Sequence, residues 1–377
     1  MSDFDPPGLL QYFTDLPDPR KPRGIRHNLA DIVCIAVLAV ICNANTFPEI
    51  HAFAIVKHNW LQTFLELPYG IPSQDTFERV FSILKPSAWQ SRFLNWTQTL
   101  TLPDLPDGHD EILAIDGKTS RRSHTNGIGA LHTVSVWSSQ FEITLAQIGV
   151  PDKTNEITVI PELLEIIQPA GAVVTIDAMG TQKSIAWTIR EHHAHYVLAL
   201  KDNHPKLCED TKWLFNHADS MNWENIEFSY AKTVNQGHGR VETRECWVLT
   251  NLEILEERSA WRDLNAVVRV RGSREVKGEI SVEDRFFITS LPANAERVLR
   301  AVRFHWGIEN GLHWVLDVAF DEDDSRARLG FSQANWVAIR HLAVSVLKRD
   351  KSVKGGVATK RFRAGLDDAY LLRLLKS

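Results

Sequence analysis

The chain predicts an α/β protein: a mixed sheet flanked by helices, preceded by an N-terminal helical domain and interrupted by a β-rich segment. Three observations predict it. Helical periodicity fills the first hundred residues, and short strands rich in β-branched residues then begin near Glu111 and come to alternate with helical stretches. The pattern returns to β from about Asn222 to Leu291 before a helical last stretch. A length of 377 residues suits roughly two domains at about 150 residues each.

Asn28 stands where it caps a helix over residues 29–42, with Asp31 near the positive end. That helix is apolar on nearly every face and is expected inside a bundle. A second helix is expected over about 57–67, a break at Pro68-Tyr69-Gly70-Ile71-Pro72, and a third helix after Ser73 with Phe77, Val80, Phe81 and Leu84 on its apolar face. Helix, five-residue break and helix together have the outline of a helix-turn-helix, weighed against ordinary bundle packing. Residues 101–110 read as a Pro/Asp-rich linker. Strands follow at 111–116, 131–137 and 142–150, then a helix opening at Thr154-Asn155-Glu156 toward Ile167. A strand at 172–177, a helix around 182–192 and a strand at 196–200 continue the alternation, with His192, His193 and His195 read as a helix end meeting a strand. Residues 227–234 and 240–249 flank Gly237-His238-Gly239 as a hairpin, and further strands are expected at 266–270 and 285–289. A helical stretch over 295–318, an acidic loop and a helix over 332–348 close the pattern.

Hydrophobic residues at 44% and charged ones at 24% exclude a disordered or collagen-like chain. Lys+Arg 42 against Asp+Glu 47 gives a net charge of −5, so a nucleic-acid partner would have to be met by local basic patches. Four scattered cysteines (Cys34, Cys42, Cys208, Cys246) are too few for a disulfide scaffold or a cysteine zinc site, which points to a reduced, cytoplasmic setting. The longest apolar run, residues 32–42, falls short of the ~20 residues a membrane span needs. No basic-then-apolar signal segment opens the sequence, and no membrane partner is expected.

Chemistry concentrates at three carboxylates. Ile115-Asp116-Gly117 and Ile176-Asp177-Ala178 each place an Asp where a buried apolar strand gives way to a small residue. Such a carboxylate is costly unless it is solvated, hydrogen-bonded or bound to metal. Either alone reads as a turn cap; two in one sheet domain point to a metal pair. The third is Glu309, within residues 303–317, where His305, Glu309 and His313 are spaced four apart and share a helical face. Trp306, Ile308, Leu312 and Trp314 flank that stripe, so the helix is expected to be half buried. An exposed polar stripe and a two-histidine zinc site are the alternatives, and the second lacks both the His-Glu-x-x-His signature and a clear third ligand.

Several stretches carry a family resemblance: Ala114-Ile-Asp-Gly-Lys118 with Arg121-Arg122-Ser123, Lys153-Thr-Asn-Glu156, Asp177-Ala-Met-Gly-Thr-Gln182 and Gly237-His-Gly-Arg240. To these add His305-Trp-Gly-Ile-Glu-Asn-Gly-Leu-His-Trp-Val-Leu-Asp-Val318 and Asp367-Asp-Ala-Tyr370. In this order, over nearly the whole chain, they closely resemble bacterial insertion-sequence transposases of the ISAs type, the H-repeat-associated proteins of the DDE transposase group. The resemblance implies an RNase H-like fold with Asp116 on the first strand, Asp177 at the end of the fourth and Glu309 on a later helix, and a β-rich insertion subdomain between the last two. The implied division is 1–105, an N-terminal helical domain for DNA-end binding; 106–220, the first part of the catalytic core; 221–293, the insertion; 294–350, the second part with the Glu helix; and 351–377, a basic tail. Some relatives carry Tyr, Arg and Lys around the catalytic Glu; here Val302, His305 and Leu316 stand there, and His305 is the candidate to replace the Arg as a phosphate or water contact.

The implied activity is cleavage at element ends followed by strand transfer, with Mg2+ as cofactor and Mn2+ able to substitute. Two such ions roughly 3.5–4 Å apart would handle the nucleophile and the leaving oxygen. By the resemblance Asp116 bridges both, while Asp177 and Glu309 complete one each. The implied partners are double-stranded DNA, as terminal inverted repeats and target, and a second copy of the chain. Lys118, Arg121 and Arg122 follow the first Asp closely and are expected on the scissile strand, and Arg240 and Arg244 share a strand face, as do Arg269 and Arg271, with ion pairs to Glu242 as the alternative. Arg20-Lys-Pro-Arg23 and Arg26 form a candidate arm on DNA. Residues 340–377 hold ten Lys/Arg against three Asp, a candidate phosphate-tracking surface or a solubilising terminus. Trp306 and Trp314 read as core or as stacking platforms for an unpaired base. Glu322, Asp323 and Asp324 read as a solvated loop, and Asp317 as the substitute should Glu309 prove structural. The competing functions are a relic that binds DNA without catalysis and a plain metal-dependent nuclease.

Overall fold

The computed structural model describes residues 8–23, 25–100, 105, 109–124, 129–150, 156–237 and 239–376. Lys153, Thr154 and Asn155, the hairpin residue His238 and most of the 101–110 linker lie outside them. After a 3-10 turn at Gly8–Phe13 come α1 (Leu29–Ile41), α2 (Phe47–Val56), α3 (His58–Leu61), α4 (Gln74–Ile83) and α5 (Pro86–Thr99). From Ile32 to Ile41 every residue of α1 is fully buried, as its all-round apolar surface requires. Phe77, Val80, Phe81 and Leu84 are buried as expected. The helix expected over 57–67 is a different object. Helix α2 starts earlier because Thr46 and Glu49 form a capping box and Pro48 fits the first turn, and it ends at Val56. Only the single turn α3 follows, so the helix-turn-helix outline is lost.

The sheet elements are β1 (Ile112–Thr119), β2 (His132–Ser138), β3 (Ile143–Val150), α6 (Glu156–Ile167), β4 (Val173–Ile176), α7 (Lys183–Glu191), β5 (His195–Leu200) and α8 (Pro205–Ser220), the last not read from the sequence. Next come β6 (Phe228–Gly237), β7 (Arg240–Leu249), β8 (Ala266–Val276) and β9 (Glu279–Thr289). All nine strands form one sheet in the order β3-β2-β1-β4-β5-β9-β8-β7-β6. Strands β1, β4 and β5 run parallel, and the other neighbours pair antiparallel. The β-rich segment therefore continues the sheet from β5 through β9 instead of forming a separate layer.

Alternation along the strands separates two faces. Leu113, Ile115, Val174, Ile176, Tyr196 and Leu198 pack under α6, α7 and α8. Ile112, Val173 and Val197 point the other way, onto α9 (Ala295–Ile308). Helix α9 also packs Val298, Leu299 and Val302 into the cluster that holds Ala231, Cys246 and Val268, so the extended sheet curls around it. A π-helical turn (Glu309–His313), α10 (Trp314–Phe320), α11 (Ser332–Arg349), α12 (Val357–Leu366) and α13 (Asp368–Leu375) complete the chain.

Helices α10 to α13 share one apolar core with the N-terminal helices. The stretch expected as a basic tail is thus two packed helices, and two of its cations, Lys360 and Arg361, are buried. Lys360 donates to the carbonyls of Leu347 and Asp350, and Arg340 and Arg361 are 1% and 0% exposed. The Arg361 guanidinium donates to the Val40 carbonyl at 2.8 and 3.1 Å, to Ala44 at 3.3 Å and to Ala319, tying α12 to the ends of α1 and α10. Replacing Arg361 by Ala orphans these carbonyls. Urea unfolding is expected to show a loss of about 3 kcal/mol, and an unchanged midpoint would contradict this anchoring role.

Candidate functional site

Register decides which side chains meet. Strands β1 and β4 run parallel with Ile115 beside Ile176, so the next pair along them is Asp116 and Asp177. Alternation puts both on the α9 face, Asp177 just past the end of β4 and Asp116 within β1, which runs on to Thr119 instead of ending at 116. Helix α9 crosses that face, and the Thr175 hydroxyl and His305 Nδ1 meet at 3.0 Å. The helix then delivers Glu309 into the π turn, where the Trp314 N–H donates to the Glu309 carbonyl. Two glycines let this segment lie close to the sheet. A Cβ at Gly307 would come within 2.6 Å of Ser139 Oγ, and one at Gly311 within 3.4 Å of the Trp137 ring.

Donor atoms of Asp116, Glu309 and His313 lie within 4.8 Å of one another. His313 Nδ1 is 3.5 Å from Asp116 Oδ2. Asp177 stands outside this close cluster. Its Oδ1 accepts from the Gly180 N–H at 3.0 Å, the turn-capping role of the bland reading. It also borders, with Glu309, His305 and Thr175, a cavity of about 390 Å3. In the sequence His313 is visible only as the third member of the stripe spaced four residues apart. The buried pair His132–Glu156 (2.6 Å) gave no signal, though it explains Gly117: a Cβ there would collide with both side chains.

Burial dominates the electrostatics, and like charge adds to it at Asp116. Burial, with the negative charge of Glu309 and then of Asp177 and Glu156, pushes the Asp116 carboxyl up to about 7, against the lowering effect of the Gly117 N–H. Lys118 does not relieve it, because its Nζ is 2.6 Å from Asp317 Oδ1. Burial likewise lowers His305 to about 4 and His313 to about 3, the latter helped by Lys118 and the neighbouring histidines. Burial thus favours the neutral form of His305. Converging carboxylates beside a neutral imidazole offer the deprotonated oxygen and nitrogen donors that a divalent cation takes.

The basic residues expected on DNA hold carboxylates in the DNA-free chain. Arg121 lies 3.3 Å from Asp323, Arg122 2.9 Å from Asp324, and Arg240 and Arg244 are 2.9 and 2.7 Å from Glu242. The acidic run expected as a solvated loop is thus the partner of the basic cluster, and its Glu322 is buried, accepting from the Ser120 hydroxyl at 3.0 Å. Arg269 does not face DNA. It is 2% exposed, paired twice with Asp219 and laid over the Trp247 ring, while Arg271 pairs with Asp284. Trp306 and Trp314 are 42% and 60% exposed, so neither is core.

Residues 107–346 match the family described as the transposase DDE domain, and residues 10–97 match its associated family, DDE_Tnp_1-associated. The chain belongs to the DDE transposase family of bacteria. Within it, the relationship is to the H-repeat-associated and ISAs-type elements. A protein designated transposase YncI, of Escherichia coli O157:H7, is 37% identical over 376 residues, covering 98% of this chain and 94% of that one. The H repeat-associated protein YhhI of Escherichia coli K12 is 32% identical over 375 residues, covering 97% of each. Among solved structures, the piggyBac transposase synaptic complex with hairpin DNA aligns over 98% of this chain and 79% of that one, at 10% identity and a TM-score of 0.45. That alignment is too loose to carry a functional argument.

The Asp116 shift has a measurable consequence. Folded Asp116 keeps its proton up to about pH 7, whereas the unfolded chain releases it near 4. Between those values the native state binds more protons, so this residue's contribution to stability falls as pH rises. Thermal unfolding in EDTA is expected to show Asp116→Asn gaining on the unsubstituted protein as pH rises through that window, by a few kcal/mol at about pH 8. A constant difference between the two proteins would contradict the shift.

Proposed function

We propose that this chain cuts phosphodiester bonds at the ends of an insertion sequence and joins them to target DNA, with Asp116, Asp177 and Glu309 holding divalent ions, Mg2+ or Mn2+. The observation that carries the reading is the approach of Asp116 and Glu309 within 4.8 Å, where the parallel pairing of β1 and β4 ends and Asp177 follows β4. The order β3-β2-β1-β4-β5, antiparallel and then parallel, supports an RNase H-like core, with β6 to β9 as its β-rich insertion. When bound, the ions would supply activation of the attacking water or 3′-hydroxyl and neutralisation of charge at the scissile phosphate.

The chain's own residues hold the geometry. The Gly117 N–H fixes one oxygen of Asp116, and the Gly180 N–H fixes one of Asp177. The Lys118–Asp317 pair ties β1 to α10 and so holds the Glu309 segment against the first strand. A cavity of about 640 Å3 lined by Arg240, Arg244, Arg274, Arg285 and Arg303 shares Arg285 and Trp306 with the carboxylate cavity. This continuity favours a DNA path along the curled sheet into the site. Arg121 and Arg122 stand beside Lys118 on the other flank, where each arginine would exchange its carboxylate partner for a phosphate. Pairing two element ends calls for a second copy of the chain on the DNA. No helix among the described residues is long and apolar enough to cross a membrane, and the reading places the protein with the DNA in the cytoplasm.

The test is incubation with candidate element ends and Mg2+. Asp116→Ala, Asp177→Ala and Glu309→Ala are each expected to reduce cleavage to background while DNA still binds. Full activity in one of them removes that residue from the site. Failure of the unsubstituted protein to nick its element boundary would favour the relic, and nicking without joining would favour the nuclease. Arg274→Ala and Arg303→Ala are each expected to weaken DNA binding across sequences and to reduce the slope of log affinity against log salt by about 1. An unchanged slope would place the DNA elsewhere.

A further inference from the structure

Mg2+ chemistry on carboxylates alone leaves His313 unused, and that residue is unusual. It is 8% exposed, and its Nε2 is buried with no hydrogen-bond partner among the described residues. Its Nδ1 faces Asp116 Oδ2 at 3.5 Å, longer than the roughly 2.7–3.2 Å of an N–H···O bond. A buried imidazole is ordinarily held by hydrogen bonds that fix its tautomer. Here it stands beside two carboxylates, side by side with their oxygens and not bonded to them, as donor atoms around one ion stand. The π turn begins at Glu309 and ends at His313, and it brings both into the cluster with Asp116.

We propose that His313 is a nitrogen ligand of the divalent ion held by Asp116 and Glu309, and that the site consequently takes Mn2+ in preference to Mg2+. This rests on the reading of those carboxylates as an ion site. The selectivity follows from donor chemistry. Mg2+ favours hard oxygen donors and keeps several waters, whereas an imidazole nitrogen adds affinity for first-row transition ions. Asp177, outside the close cluster, keeps the role given to it above.

The test uses full-length protein without DNA and Mn2+ as the probe. Pulsed electron paramagnetic resonance is expected to show a 14N coupling on the bound Mn2+, converted to a 15N coupling when only histidine carries the heavier isotope. That readout needs no substitution. In His313→Asn and His313→Gln, checked for native circular dichroism, the coupling is expected to vanish while Mn2+ stays bound. The preference for Mn2+ over Mg2+ is then expected to narrow by roughly tenfold. If Mn2+ binds and Asp116→Asn removes it, but no histidine coupling is seen or the coupling survives both variants, His313 is only a neighbour and the inference falls alone. If no Mn2+ binds, or if Asp116→Asn leaves binding intact, the carboxylate site itself falls and takes the inference with it.

Discussion

A carboxylate buried among like charges is the constraint on which the site depends. Asp116 and Asp177 directly follow the last pair of the β1–β4 ladder, Ile115 beside Ile176, and each has an oxygen held by a backbone N–H. The backbone that carries Glu309 is held close to the sheet, at Gly307 against Ser139 and at Gly311 against Trp137. In the absence of a cation the chain relieves the strain by keeping a proton on Asp116, near pH 7. A fold stores such a conflict where a bound ion will resolve it.

The remaining architecture serves that convergence. Helix α9 is enclosed by the curled sheet, which touches it from β1, β4 and β5 on one side and from β6 to β8 on the other. This grip fixes the helix that delivers Glu309. Beyond the π turn, α10 and α11 enter the core shared with the N-terminal helices, and α12 locks onto α1 and α10 through Arg361. The β-rich extension therefore has two jobs. It buries α9, and it presents an arginine-lined concavity continuous with the carboxylates.

Much of this was legible in the sequence, for physical reasons. Short runs rich in β-branched residues mark β1 to β5, and an Asp following the apolar part of two of them exposes the first half of the site. Such runs do not show that the β6 to β9 strands join β5, because pairing partners depend on long-range register. The Lys57–Leu67 helix failed where a local signal, the Thr46 and Glu49 capping box, was passed over. The partners of the basic residues are hidden for a different reason. Charge counts do not reveal that Lys360, Arg361 and Arg269 are buried with carbonyl or carboxylate partners, or that the 322–324 run answers Lys118, Arg121 and Arg122. His313 shared a face with Glu309 in the sequence, but only the fold shows it beside Asp116.

Calorimetric titration of Mg2+ or Mn2+ into the DNA-free protein, repeated in buffers of different ionisation enthalpy, probes the central conflict most directly. If crowded carboxylates hold a proton until an ion replaces it, binding at pH 6 releases about one proton and binding at pH 8 releases almost none. Ion binding with no proton released at pH 6 would mean that Asp116 is already ionised there, and the convergence described here would not govern the site.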